Sequence, residues 1–534
     1  MTKSATYTTD IDQLRRGLHT IGIPVAVESS ADFTYPINSY LYRNPDGSIR
    51  WLWPVAAKEP DFLRFYQVDS QRAQVFVWVV RLLFRLGLGR WVAHDRLTLY
   101  TSESGNQLVR QSQIKRWALF TGVAGPNRKL VIWHCMRSGK RYLTKIAVGS
   151  AALSGLRQEA RALRQLQQTP FLQVNTPALT AYSLRFVTTG FLIQEDIGVT
   201  CMPQTNQLAQ LPEHILQEIF SRNWHTQPLY QTRFWRQAHQ NLSALRTAND
   251  PRIPAGLLDK LDLLMQSLND QMTVPIAAAH GNFTPWTILL SGRQVSVVDW
   301  ERYAEELPGL YDLFHFLYQS ATRINNQDYS TTRHLIDATL NRPEWKLFRE
   351  TYQLDTGLAE ILYLAYTVTA TLQDYSQQMD WSEQVSGQLT TWSDALTHWL
   401  NRQEVSSDHQ LLFQDVAFWL HQQPNGTLTA TSYTGLVPDA VDLCVPQSTA
   451  LQLAYYLQHH SLTHELVSKP GEGMNQLYIR CLDNSTLRIN LNWQVKPGKL
   501  SVWSLSGSRL GTTLVGLKYL TSKSVKRTFT YFIA

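Results

Sequence analysis

Two runs near the N-terminus alternate apolar and polar side chains: Ser39-Tyr40-Leu41-Tyr42 and Ile49-Arg50-Trp51-Leu52-Trp53. Successive side chains of a strand point to opposite faces, so both runs predict strands. Asn44-Pro45-Asp46-Gly47 between them is strong turn chemistry, and together they predict a hairpin. From Gln113 to Asp196 the pattern predicts three strands, one helix and two strands. The first three cover 114–121, 129–135 and 141–148, with turns at 122–127 and 137–140. The helix covers 153–166, with Leu156, Ala160, Leu163 and Leu166 on one face. The last two strands fall near 181–184 and 191–194. From Thr205 to about Gln403 the helical period dominates, over 208–220, 234–245, 255–268, 310–317, 335–340, 359–372 and 381–400. A strand-rich island, 275–301, interrupts it. Gln403 to His409 is polar almost throughout and reads as a linker. The last segment, from Leu411 to Ala534, mixes short strands with helices. Four parts result: an N-terminal mixed segment with a hairpin (1–110), a sheet-rich part (111–200), a helical part (201–403) and a C-terminal α/β part (411–534).

The longest apolar stretch, Val75 to Val92, is interrupted by Arg81, Arg85 and Arg90, so it cannot span a bilayer. It predicts a helix packed in the core with its arginines reaching outward, in preference to a basic helix lying on a membrane surface. With 534 residues and 44% apolar residues, the chain can bury roughly three or four cores. Charged residues are only 17%, which argues against disorder. The net charge is +7 without any long Lys/Arg block, so nucleic acid is not an expected partner. The 17 Trp and 23 Tyr predict an aromatic-rich core. Cys135, Cys201, Cys444 and Cys481 form no C-x-x-C pair, and they read as reduced thiols of a cytoplasmic protein. The polar start, Met1 to Tyr7, predicts no signal peptide.

The island carries the chemistry. It reads Ala279-His280-Gly281-Asn282-Phe283-Thr284-Pro285-Trp286-Thr287, then a strand, a tight turn, and a second strand ending in Asp299-Trp300-Glu301. Leu310-Tyr311-Asp312-Leu313 follows. This stretch resembles the aminoglycoside and choline kinase-like phosphotransferases, which share the protein-kinase fold. Their loop is His-Gly-Asp, four residues and Asn, and their second strand ends in Asp-Trp-Glu. The resemblance covers roughly residues 115 to 400. It implies an α+β, bilobal protein-kinase-like fold, with a small antiparallel-sheet lobe and a helical lobe. The N-terminal segment and the C-terminal α/β domain are appended to it. It also implies ATP and Mg²⁺ as cofactors, and a small-molecule acceptor or a protein partner.

Phosphoryl transfer needs a carboxylate to orient the attacking hydroxyl and hard oxygen ligands for Mg²⁺. By the resemblance Asp299 is the metal ligand and His280 supports the loop backbone. The carboxylate position holds Asn282, whose amide cannot take a proton. The amide that helps hold the metal is replaced by Thr287. Losing a general base costs on the order of 10²–10⁴ in rate. Upstream, Lys145 matches the lysine that holds the α- and β-phosphates, and Glu159 matches the glutamate that pairs with it. Read alone, they are an edge-strand lysine and a glutamate on a solvated helix face. Gly122 and Gly125 sit where the phosphate-covering hairpin lies. Gln194, Glu195, Asp196 and Ile197 fall at the hinge that holds the adenine edge.

Further on, Val437-Pro438-Asp439-Ala440-Val441-Asp442 resembles the acidic strand of nucleotidyltransferases, although its two acids are three apart. Asn490 stands where those enzymes carry a third carboxylate. The leading expectation is an ATP-binding phosphotransferase-like protein with a degenerate loop, a pseudokinase or weak kinase. The resemblance also implies bacterial origin and an association with surface-polysaccharide production. An active small-molecule kinase, and a nucleotidyltransferase working through the C-terminal domain, are the alternatives.

Overall fold

The computed structural model describes residues 3–44, 46–66, 71–122, 125, 127–184, 188–198, 213–291, 294–325, 327–378, 381, 383–402 and seven strands between 427 and 518. The expected linker 403–409 and the start of the expected helix 208–220 lie outside these residues. The chain forms two compact units, residues 1–224 with 277–307, and residues 225–276 with 308–534.

The first unit runs α1 (Lys3–Thr20), β1 (Val25–Ala26), β2 (Tyr35–Arg43), β3 (Ile49–Pro54), α2 (Gln71–Arg85), β4 (Asp95–Thr101) and α3 (Glu103–Gln111). It continues through β5 (Ile114–Phe120), β6 (Lys129–Met136), β7 (Arg141–Ala147), α4 (Ser150–Gln168), β8 (Val174–Asn175), β9 (Leu179–Ser183), β10 (Gly190–Glu195) and α5 (Glu213–Ser221). One antiparallel sheet joins all of these strands but β8, in the order β1-β4-β2-β3-β5-β6-β7-β10-β9. The N-terminal segment therefore extends the same sheet past residue 110. The expected hairpin is β2–β3, with Tyr40 opposite Trp53 and Tyr42 opposite Trp51. Asp46 Oδ1 fixes its turn by accepting from Ser48 N at 2.8 Å.

Alternation sorts the two cores. Leu41, Leu52, Leu99, Leu119 and Leu130 pack on one face with Ile11 and Leu14 of α1. Tyr40, Trp51 and Trp53 pack on the other with Phe62 and with Val80 and Phe84 of α2. The stretch after Val75 is a helix, as its composition predicts, but it is not sunk in the core. Ala73, Val77, Val80 and Phe84 are buried, whereas Val75, Trp78, Val79 and Leu82 are exposed. The apolar run has two apolar faces, and the sheet covers only one.

The second unit contributes β11 (His225–Pro228), α6 (Arg233–Ala248), α7 (Ala255–Ser267) and the start of β12 (Thr273–Ala279). The chain then adds β13 (Ile288–Ser291), β14 (Gln294–Val297) and β15 (Ala304–Pro308). Helices follow: α8 (Tyr311–Gln319), α9 (Tyr329–Leu340), α10 (Pro343–Tyr352), α11 (Thr356–Ser376) and α12 (Glu383–Arg402). Asp355 caps α11 by accepting from Gly357 N and Leu358 N at 2.8 and 3.0 Å. Five consecutive residues of α11, Ile361 to Ala365, are buried, as expected of a helix enclosed on all sides. Among these helices a charged network is sealed in. Glu360 accepts from Tyr318 Oη at 2.8 Å and from Arg333, which also meets Asp337 at 2.5 Å.

The C-terminal strands are β16 (Thr427–Thr434), β17 (Val437–Cys444), β18 (His464–Val467), β19 (Gln476–Cys481), β20 (Thr486–Leu491), β21 (Ser501–Ser506) and β22 (Thr513–Lys518). Their main sheet has the order β16-β17-β20-β19-β18, with Asp442 in register with Asn490 across the parallel β17–β20 pair. Any helices expected there fall outside the described residues. The α+β class read from the sequence is the class observed. Among the described residues no helix is long and apolar enough to cross a membrane.

Candidate functional site

The centre of the site is Lys145, on β7. This strand is interior, and Lys145 lies between Val131 of β6 and Leu192 of β10. It is therefore not an edge-strand lysine. Its Nζ meets Glu159 Oε1 of α4 at 2.6 Å and Asp299 Oδ1 at 2.5 Å. Glu159 is fully buried, not on a solvated helix face. Burial alone would lower the Lys145 pKa, but Asp299 and Glu159 override it and hold the ammonium well above its ordinary value. The same lysine depresses the Asp299 carboxyl. Asp299 also has a positive φ of 65°, a conformation rarely adopted outside Gly, Asn and Asp. Among the described residues Glu159 Oε2 has no hydrogen-bond partner.

The loop before β13 is stapled to the segment carrying Asp299. His280 Nε2 donates to Val298 O at 2.9 Å, and its Nδ1 accepts from Asn282 N at 3.3 Å. Those two bonds define a neutral tautomer, and burial lowers its pKa to about 4. Gly281 has φ +77°, and a Cβ there would sit 2.1 Å from Arg302 O, so only glycine fits. Thr287 is fully buried. Its hydroxyl accepts from Thr284 N at 3.0 Å and lies 3.2 Å from Asn282 O. Thr287 therefore serves the loop backbone, which departs from its expected place among the metal ligands. Asn282 is half-buried in this loop.

A cleft of about 860 Å³ opens beside Lys145, lined entirely by residues of the first unit. Val131 and Leu143 form one apolar wall, and Leu289 and Val298 form part of the other. Gln194, Glu195 and Ile197 line it where the hinge is expected. Gln194 is 1% exposed, and its Oε1 has no partner among the described residues. Glu159, His280, Asn282, Thr287, Gly122 and Gly125 do not line the cleft directly. Gly122 (φ +79°) makes the turn into β6 tight, since a Cβ there would lie 2.3 Å from Lys129 O. Gly125 has open space around it.

Several residues in and beside the cleft escape the sequence reading. Lys129 pairs with Glu301, and its ammonium is disfavoured by burial and by Lys145. Trp133 Nε1 donates to Asp196 Oδ2 at 2.7 Å, and the Arg64 guanidinium lies 4.4 Å over the Trp133 ring. Arg64 also pairs with Asp196 at 3.2 Å, so the N-terminal segment reaches the cleft rim. Lys129, Val131 and Trp133 alternate along β6 and share a face, which is the periodic signal that identifies them.

Of the two carboxylates on Lys145, Asp299 is the one that lines the cleft. Among the described residues no three His, Cys, Asp or Glu side chains gather as a metal cluster. This set fits Mg²⁺ carried on a nucleotide, because Mg²⁺ takes one or two carboxylates and completes its shell with phosphate and water.

Neither a protein-family model nor a curated protein sequence matches the chain. The chain is similar to solved structures of phosphotransferases. Spectinomycin phosphotransferase, solved with ADP and spectinomycin, is 13% identical over 56% of this chain and 98% of its own, with a TM-score of 0.35. An amicoumacin kinase, solved with AMP-PNP and Ca²⁺, is 14% identical over 56% of this chain and 92% of its own, with a TM-score of 0.34. An aminoglycoside phosphotransferase of Alicyclobacillus acidocaldarius is 18% identical over 54% of this chain and 92% of its own, with a TM-score of 0.27.

Proposed function

We propose that the cleft binds ATP, and that the protein is phosphotransferase-like with a weakened catalytic loop. The observation that carries this is the buried Lys145 ammonium, gripped by Glu159 and Asp299 at the end of an apolar slot. Three distant stretches of chain converge to hold one cation there. Such a cation suits phosphate oxygens, and the slot suits a flat base. Asp299 would hold a nucleotide-borne Mg²⁺, which when bound neutralises charge developing on the phosphates. Asn282 orients a hydroxyl through its amide and cannot deprotonate it. Glu159 fixes the lysine, and His280 with Thr287 fixes the loop carrying Asn282. A small molecule is the acceptor class, and turnover is slow or absent.

Calorimetric titration with ATP, with and without Mg²⁺, tests the reading. Saturable binding that Mg²⁺ strengthens is the expected outcome, and no heat or thermal shift at millimolar ATP overturns it. Asn282→Asp should raise ATP hydrolysis on the order of 10². Thr287 is left unchanged in that variant, because its hydroxyl staples the loop. Wild-type transfer at ordinary rates, with no gain in Asn282→Asp, overturns the weakened-loop reading.

A further inference from the structure

α2 presents a second apolar face, opposite the one it packs on the sheet. At about 100° per residue, Ala73, Val77, Val80 and Phe84 share one side, and Val75, Trp78, Val79 and Leu82 share the other. Leu86 continues this outer stripe, its N–H bonded to Leu82 O at 3.0 Å. The stripe is open: Val75 is 61%, Trp78 64% and Leu86 63% exposed, and nearby Trp91 is 65% exposed. Exposed apolar residues scattered singly are ordinary, but a contiguous stripe along a helix marks a docking surface.

The charge around the stripe selects its occupant. Between Ser70 and His94 the sequence carries Arg72, Arg81, Arg85 and Arg90 and neither Asp nor Glu. All four arginines are exposed, and none forms an ion pair with a described residue. Arg81 and Arg85 flank the stripe on one side and Arg72 on the other. A second copy of the same surface would bring these arginines against their own kind, which disfavours it. Guanidinium groups beside exposed Val, Leu and Trp match a bilayer surface, where the stripe enters the acyl boundary and the arginines meet anionic headgroups. The inner face fixes the helix against Trp51, Trp53 and Phe62, so it is ordered before it docks.

We propose that α2, with Trp91, docks the protein on membrane surfaces bearing anionic lipid. Arg81 and Arg85 also line the cleft, whereas Trp78 and Leu82 do not, so the substitutions below leave the cleft lining untouched. The full-length protein is sedimented with vesicles of phosphatidylcholine alone and of phosphatidylcholine with phosphatidylserine. Binding at least about tenfold stronger to the anionic vesicles, weakened by salt, is expected. The double substitution Trp78→Ser/Leu82→Ser should reduce that binding at least about tenfold without changing the thermal unfolding midpoint, because both side chains are exposed. Three outcomes overturn the proposal. One is no binding to the anionic vesicles at low salt. Another is equal binding by the double variant, which would trace the effect to net charge alone. The third is a wild-type dimer in sedimentation equilibrium that the double variant abolishes, which would assign the stripe to a second copy.

Discussion

The molecule holds two buried ionic networks that differ in one respect. In the helical unit, Arg333 and Tyr318 close on Glu360, whose side chain is 1% exposed. In the sheet unit, Lys145 closes on Glu159, but its other partner, Asp299, keeps 48% of its side chain accessible at the cleft. The first network is sealed around Glu360, whose two oxygens are engaged by Tyr318 and Arg333, while the exposed Asp337 joins it through Arg333. The second ends in an open cleft, and among the described residues Glu159 Oε2 and Gln194 Oε1 are unpaired. A sealed network supports the fold. An open one, whose carboxylate faces a cleft, suits a ligand.

Substitutions separate the two roles. The largest effect is expected from Arg333→Ala, which strips the buried Glu360 of its cation. Urea unfolding should show a loss of about 3–5 kcal/mol, with ATP affinity unchanged in the folded fraction. A loss below about 1 kcal/mol would mean that the helical network is not sealed.

Next comes the pH response of the open side. His280 in the folded chain titrates near 4, against 6.5 for the free side chain. Below about pH 6.5 the unfolded chain takes up a proton that the folded chain refuses until about pH 4. His280 therefore removes stability as pH falls through that window, by at most about 3 kcal/mol. Its replacement, His280→Gln, should flatten the fall in stability between these limits. Parallel wild-type and variant curves would deny His280 this role.

A smaller effect is expected from Lys145→Ala, because water at the cleft can answer Asp299. ATP affinity measured by calorimetry should drop about 10- to 100-fold, and stability by about 1–3 kcal/mol. An unchanged dissociation constant would make Lys145 another structural cation and erase the contrast with Arg333. The smallest effect belongs to Asp337→Asn, since Asp337 is 54% exposed. Its loss should cost under about 0.5 kcal/mol in urea unfolding, because only the buried partner of Arg333 carries weight.

Much of this was legible in the chain. The strands from Ile114 to Ala147 announce themselves by alternation and by turn residues between them. The order of Lys145, Glu159 and Asp299 along the chain anticipates one site, which the structure assembles. Other features depend on tertiary placement. Nothing in the sequence near Thr287 says that its hydroxyl turns into the loop rather than outward. The run after Val75 is apolar on two faces, and composition does not say which face the sheet covers. Asp95–Thr101 carries a legible alternation, with Leu97, Leu99 and Thr101 buried, whereas Glu103–Gln111 has no long apolar period and is defined by its Ser102 cap. Arg64, Trp133 and Asp196 meet from three distant positions, and no local pattern links them.

The Lys145–Asp299 contact joins positions 154 apart, and the Lys129–Glu301 contact joins positions 172 apart. Contacts of such long range close large loops and form after local structure has taken shape. In refolding, the sheet strands on either side of Lys145 should gain protection before the carboxylate of Asp299 arrives. Nucleotide binding is then acquired late, so the recovery of ATP affinity lags the recovery of secondary structure and serves as a clock for completion of the fold.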